Sequence, residues 1–171
     1  CHLWHIVAMD FQQLLEIVGA EPIFETGLLL AGDVDPANVQ RQLSRWAAAG
    51  RLHQLRRGVY SLAAPHQKVK PHPFAAANAL VRGSYVSLQA ALAHHGLIPE
   101  AAPVVTSVTG GRPGRWETAL GVFEYHHVKP SWLHGYRQVE LGGGQRAFIA
   151  LPEKALLDLV PRRLHGRAVS I

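Results

Sequence analysis

Sulfur is scarce in this chain: its 171 residues include one cysteine, Cys1, and one methionine, Met9. A lone cysteine closes no internal disulfide and builds none of the cysteine-based zinc sites, and it fits a reducing compartment. Long apolar runs are missing too. "GLLLAG", Gly27 to Gly32, falls far short of the ~20 residues that cross a bilayer. No charged start leads into an apolar signal segment. A lipidated Cys1 would be followed by a flexible polar tether, and none is present. These absences lead to the expectation of a cytoplasmic protein with no membrane partner. Met9 directly precedes the first helical pattern and is expected to be the natural start, with Cys1 to Ala8 lying upstream of it.

Charge is missing by region rather than overall. From Cys1 to Val34 there are five acids and no lysine or arginine. Asp35 is then the last carboxylate before Leu62, and the same stretch carries Arg41, Arg45, Arg51, Arg56 and Arg57. A cationic patch beside an acidic one, in a chain of net charge +5, suits an oriented contact with a polyanion. The plainer alternative is a solvated arginine cluster that only maintains solubility.

Periodicity orders the elements. Phe11, Leu14, Leu15 and Val18 recur at helical spacing between Asp10, a capping residue, and Gly19, a stop. Phe24 to Ala31 reads as a second, short helix. Asp35 as cap, Pro36 at the first position and Gly50 as stop define a third. "RLHQL" and "GVYSL" alternate like strands around Arg56, Arg57 and Gly58, where glycine permits a tight hairpin. Three helices and a hairpin in this order predict a winged helix-turn-helix over 9–63. "APHQKVKPHP", with its three prolines, predicts a linker over 64–73. A mixed α/β domain is expected over 74–171. Its helices are predicted at Phe74 to Val81, Ser87 to Gly96 and Pro152 to Val160, and its strands at Val104 to Thr109, Gly121 to Val128 and Arg146 to Ala150. "GGRPGR" at Gly110 to Arg115 and "GGG" at Gly142 to Gly144 read as turns. The fold class is therefore α+β.

The third helix carries the chemistry. At ~100° per residue, Val39, Leu43, Trp46 and Ala47 share an apolar face, and Arg41 centres the opposite one. Early residues of such a helix meet the major groove, so Asn38, Gln40 and Arg41 are the candidate base contacts. Ser44 and Arg45 are candidate phosphate contacts. Arg56 and Arg57, at the hairpin tip, are placed to grip the backbone or enter a narrow minor groove.

With these residues placed, the chain resembles the AbiEi family of bacterial abortive-infection antitoxins. The likeness is carried by "LHQLRRGVYSL", "YVSLQAALAHHGLIPE" and "LPEKALLDLV", in that order, and extends from about Met9 to Val160. It implies a transcriptional autoregulator of a type IV toxin-antitoxin system. The winged helix would bind repeats in its own promoter as double-stranded DNA, and the second domain would oppose a nucleotidyltransferase-like toxin, without requiring a stable complex. Only the exposed positions of the third helix and the wing are carried over. Family members continue with further helices where this sequence ends in "PRRLHGRAVSI", so the chain is expected to be a shortened member, which puts antitoxin competence in question.

Catalysis is not called for. Eleven histidines are present, but the adjacent pairs His94 and His95, on a helix end, and His126 and His127, on opposite strand faces, are poorly arranged to chelate one ion, and no HExxH occurs. "TGGRPGR" lacks the lysine of a phosphate loop, and reads as a turn or a second anion contact. Glu153 and Asp158 fall on different helix faces, and no serine has a GxSxG context. The expectations are no enzyme, no cofactor and no metal. An interaction module that never touches DNA, or a standalone regulator without antitoxin activity, is the alternative reading.

Overall fold

The computed structural model describes residues 8–99 and 103–165, with side-chain environments through Val160. The chain is mixed α+β and divides into two compact units, Cys1–Pro71 and His72–Ile171. No helix among the described residues is long and apolar enough to cross a membrane.

The first unit begins with α1 (Phe11–Val18). Asp10 Oδ1 accepts from Gln13 N at 2.7 Å and Gln13 Oε1 accepts from Asp10 N at 2.9 Å, so two otherwise orphaned donors are satisfied reciprocally. The region expected as one helix from Phe24 to Ala31 is instead a strand, β1 (Ile23–Glu25), followed by one helical turn, α2 (Thr26–Leu29). Local pattern favoured helix, but sheet pairing decides the conformation. Phe24 sits opposite Tyr60 in an antiparallel ladder, their rings stacked at 5.9 Å, and Phe24 is 3% exposed.

Next come α3 (Pro36–Ala48), β2 (Leu52–Arg56) and β3 (Val59–Leu62). The sheet order is β1-β3-β2, with β3 central and buried along its length. Leu14, Val18, Phe24, Leu29, Val39, Leu43, Leu52, Tyr60 and Leu62 form one core, to which α1 to α3 and β1 to β3 all contribute. Trp46 packs at its margin, edge-on to Phe11 at 5.5 Å. Within the segment expected as a linker, Ala64–His66 forms a short 3-10 turn and Pro73 is already helical.

The second unit contains α4 (Pro73–Leu80), β4 (Tyr85–Val86), α5 (Leu88–His94), β5 (Val104–Thr109), β6 (Gly114–Thr118), β7 (Gly121–His127), β8 (Tyr136–Gly142), β9 (Gln145–Ala150) and α6 (Pro152–His165). The strands form one six-stranded sheet in the order β6-β7-β5-β4-β9-β8. Two pairs, β4/β9 and β5/β7, are parallel. Alternation along β4 sends its neighbouring side chains to opposite faces. Tyr85 meets α6 through Asp158. Val86 shares the other face with Ser107 and Tyr125, and Tyr125 donates to Ala77 O of α4.

The strands absent from the sequence reading are β4, β6 and β8. β4 has two residues, β6 starts inside the glycine-rich stretch read as a turn, and β8 is a solvated edge whose alternation is polar.

Candidate functional site

α3 is built by its ends. Asp35 Oδ1 accepts from Ala37 N at 3.1 Å, and Pro36 occupies the first position, where a missing N–H is harmless. Val39 and Leu43 are fully buried. Arg41, Ser44, Arg45 and Gln40 are exposed, and Asn38 is partly buried. Two of these polar groups are already engaged. Gln40 Nε2 donates to the Tyr60 hydroxyl at 3.2 Å, tying α3 to the central strand, and Ser44 Oγ donates to Gln40 O at 2.9 Å, one turn back. Gln40 thus fixes the helix on the sheet, a role that only the fold reveals.

The hairpin is shaped at its tip. The register shifts between Gln54 and Arg56, and Gly58 adopts φ +82°, which a side chain would disfavour. Gly58 O accepts from Thr26 N at 3.0 Å, so the turn is anchored to the start of α2. Arg56 and Arg57 stand exposed on this anchored turn. Arg51 serves elsewhere, its guanidinium lying over the Phe11 ring at 5.0 Å. The first unit therefore presents two arginines one turn apart on α3, Arg41 and Arg45, and two more on a rigid hairpin tip. The sequence from Pro36 to Leu62 contains no carboxylate.

In the second unit, Asp158 gathers a buried polar cluster. Its Oδ2 accepts from Ser87 Oγ at 2.6 Å and from the Tyr85 hydroxyl at 3.1 Å, and Lys154 Nζ lies 2.8 Å from its Oδ1. Burial, then the neighbouring carboxylate, hold the Tyr85 hydroxyl well above the usual phenol range, so it remains a donor. Ser87 stands at the cap position of α5 without capping it. Thr106 does that instead: its Oγ1 accepts from Ala90 N at 3.1 Å and donates to Ser87 O at 2.7 Å. Leu88, completely buried, takes φ +59°, a strained conformation for a branched side chain at this strand-to-helix corner. Lys154 and Asp158 are four residues apart on α6, and the fold brings them to Ser87, 71 positions before Asp158.

His72 caps α4 through Nδ1, which accepts from Phe74 N at 3.1 Å. His126 is held by Glu124 at 2.8 Å, and His127 turns to the other face of the sheet and meets Gly111 O at 2.8 Å. Among the described residues, no group of three or more histidine, cysteine, aspartate or glutamate side chains is arranged to hold a metal ion. Compared with known proteins, the chain matches no protein-family model and no curated protein.

Proposed function

We propose that the first unit is a winged helix-turn-helix that binds duplex DNA, with α3 as the recognition helix and the β2–β3 hairpin as the wing. The observation that carries this reading is the joint placement of Arg41 and Arg45 on the exposed face of α3 and of Arg56 and Arg57 on the anchored hairpin tip. A groove of DNA requires cations on one protruding helix and on a neighbouring loop, mounted on a rigid base. The Gln40–Tyr60 hydrogen bond supports that rigidity. Arg41 reads base edges with Asn38, and Arg45, Arg56 and Arg57 hold phosphates. Ser44 supplies a hydroxyl beside them, and Gln40 acts as a positioning residue.

The wider role follows from the resemblance of "LHQLRRGVYSL", "YVSLQAALAHHGLIPE" and "LPEKALLDLV" to AbiEi antitoxins. On that reading the protein represses its own promoter and opposes a nucleotidyltransferase-like toxin. Titration of the full chain against its own upstream DNA and against a scrambled fragment tests the DNA-binding role. The own-promoter fragment should bind more tightly, and Arg41→Ala should erode that preference by roughly 5- to 150-fold, the range of a good base contact. Equal binding of both fragments by the wild type would leave the interaction-module reading in its place.

A further inference from the structure

The second unit collects a cationic rim at one end of its sheet. β5 and β7 run parallel, and their last paired residues are Thr109 and His127. The two segments that leave these ends are joined. Val128 N donates to Thr109 O at 3.0 Å, His127 Nδ1 lies 2.8 Å from Gly111 O, and Leu133 sits so close to Gly110 that a Cβ there would lie 2.8 Å from its Cδ1. Arg112, His127, Lys129 and His134 are thereby brought to one exposed rim. No acid occurs from Gly110 to Trp116 or from Tyr125 to Val139. The nearest carboxylates in sequence are Glu117, which pairs with Arg115, and Glu124, which is held by Arg115 and His126. Among the described residues, no carboxylate pairs with Arg112 or Lys129.

Trp132 stands in the same rim. It is 42% exposed, an unusual state for an indole that could have packed inward. A tight turn fixes its backbone, with Trp132 N donating to Lys129 O at 2.8 Å, and the buried Lys154 ammonium lies 4.9 Å from the ring centroid. The ring is thus supported by the protein while much of its surface faces solvent. Unpaired cations beside a supported, exposed aromatic plane are what a single strand of nucleic acid requires: phosphates for the cations and a base for the ring. An acidic protein segment would use the cations and leave the indole without a role.

We infer that this rim binds single-stranded DNA, with Arg112 and Lys129 on phosphates and a base stacked on Trp132. These contacts use the phosphate and the base face and make no demand on a 2′-hydroxyl, so DNA is a sufficient ligand for the rim. The rim belongs to the second unit, whereas α3 and its wing belong to the first.

The test is titration of the full-length protein with fluorescein-labelled dT12 across a salt series, with rU12 and polyglutamate as parallel probes. Wild-type protein should bind dT12 at least as tightly as rU12 and be displaced poorly by polyglutamate. Trp132→Ala should weaken binding by about tenfold or more, and Trp132→Phe, which keeps a stacking ring, should restore most of it. The double variant Arg112→Glu, Lys129→Glu should make the salt slope shallower by about 1.4, two contacts at about 0.7 each. Trp132→Ala should leave own-promoter duplex binding unchanged, which separates failure here from failure of the duplex-binding role. Unaltered dT12 binding by the Trp132 and double variants would overturn the inference. Preferential binding of rU12 would overturn the assignment to DNA, and efficient displacement by polyglutamate would point to an acidic protein partner instead.

Discussion

His72 shows how much structure can depend on one titratable atom. Its Nδ1 accepts the first free N–H of α4 from Phe74, its backbone N–H donates to Gln145 Oε1 at 2.7 Å, and its ring meets Phe74 edge-on. The capping role requires the neutral ring, because a protonated Nδ1 has no lone pair to offer. Burial, then the proximity of His94, lower its pKa from 6.5. The unfolded chain therefore takes up the proton first as pH falls. Stability from this group is fully present above the unfolded pKa and is lost as pH drops through the lower folded one. His94 shifts in the same direction, through burial and then His95. Urea unfolding at about pH 7 and about pH 5 should show the wild type losing stability on acidification. His72→Asn keeps an acceptor at every pH and should lose less. Parallel losses in the two proteins would mean that the cap does not titrate as described.

α3 is held by its cap, its buried stripe and its bond to β3, and each contributes separately. Asp35→Ala removes the acceptor for Ala37 N and should cost about 0.5–2 kcal/mol in unfolding free energy, without changing the exposed arginine face. Denaturant titration measures the cost; a change within error would show that Pro36 and the core suffice. The elements were unequally legible in sequence. α3 was readable because cap, proline, stripe and stop agree, and β5 because five of its six residues are β-branched. β1 was not, since Phe24 and its neighbours fit a helical pattern and only the ladder to Tyr60 makes them a strand. β8 was hidden by its polar edge character, and β6 by glycines that read as a turn.

At the scale of the whole molecule, the candidate duplex-binding residues were visible as sequence because charge segregation survives folding. Arg41, Arg45, Arg56 and Arg57 all face solvent, as a helical wheel and a hairpin tip require. Gln40, a candidate base contact by its position on α3, also donates to Tyr60, twenty residues away, a bond that local pattern does not report. Lys154 and Asp158 stand at i,i+4 spacing on one helix, but the bond from Ser87 to Asp158 spans 71 positions and was invisible for the same reason. Local pattern reports what a residue can do, and long-range pairing decides which of those things it does.

The two units also divide the proposed tasks. The first concentrates exposed arginines on α3 and the hairpin tip, and the second keeps its buried charges paired around Asp158 and exposes an aromatic and cationic rim.

Duplex binding through α3 and the hairpin is the claim on which the functional account rests, and the salt dependence of own-promoter binding measures it most directly. Each phosphate contact adds about 0.9 to the slope of log affinity against log salt. Replacing Arg45, Arg56 and Arg57 together by alanine should therefore make the slope shallower by about 2.7 while leaving the fold intact by circular dichroism. A folded triple variant with the wild-type slope would contradict the account.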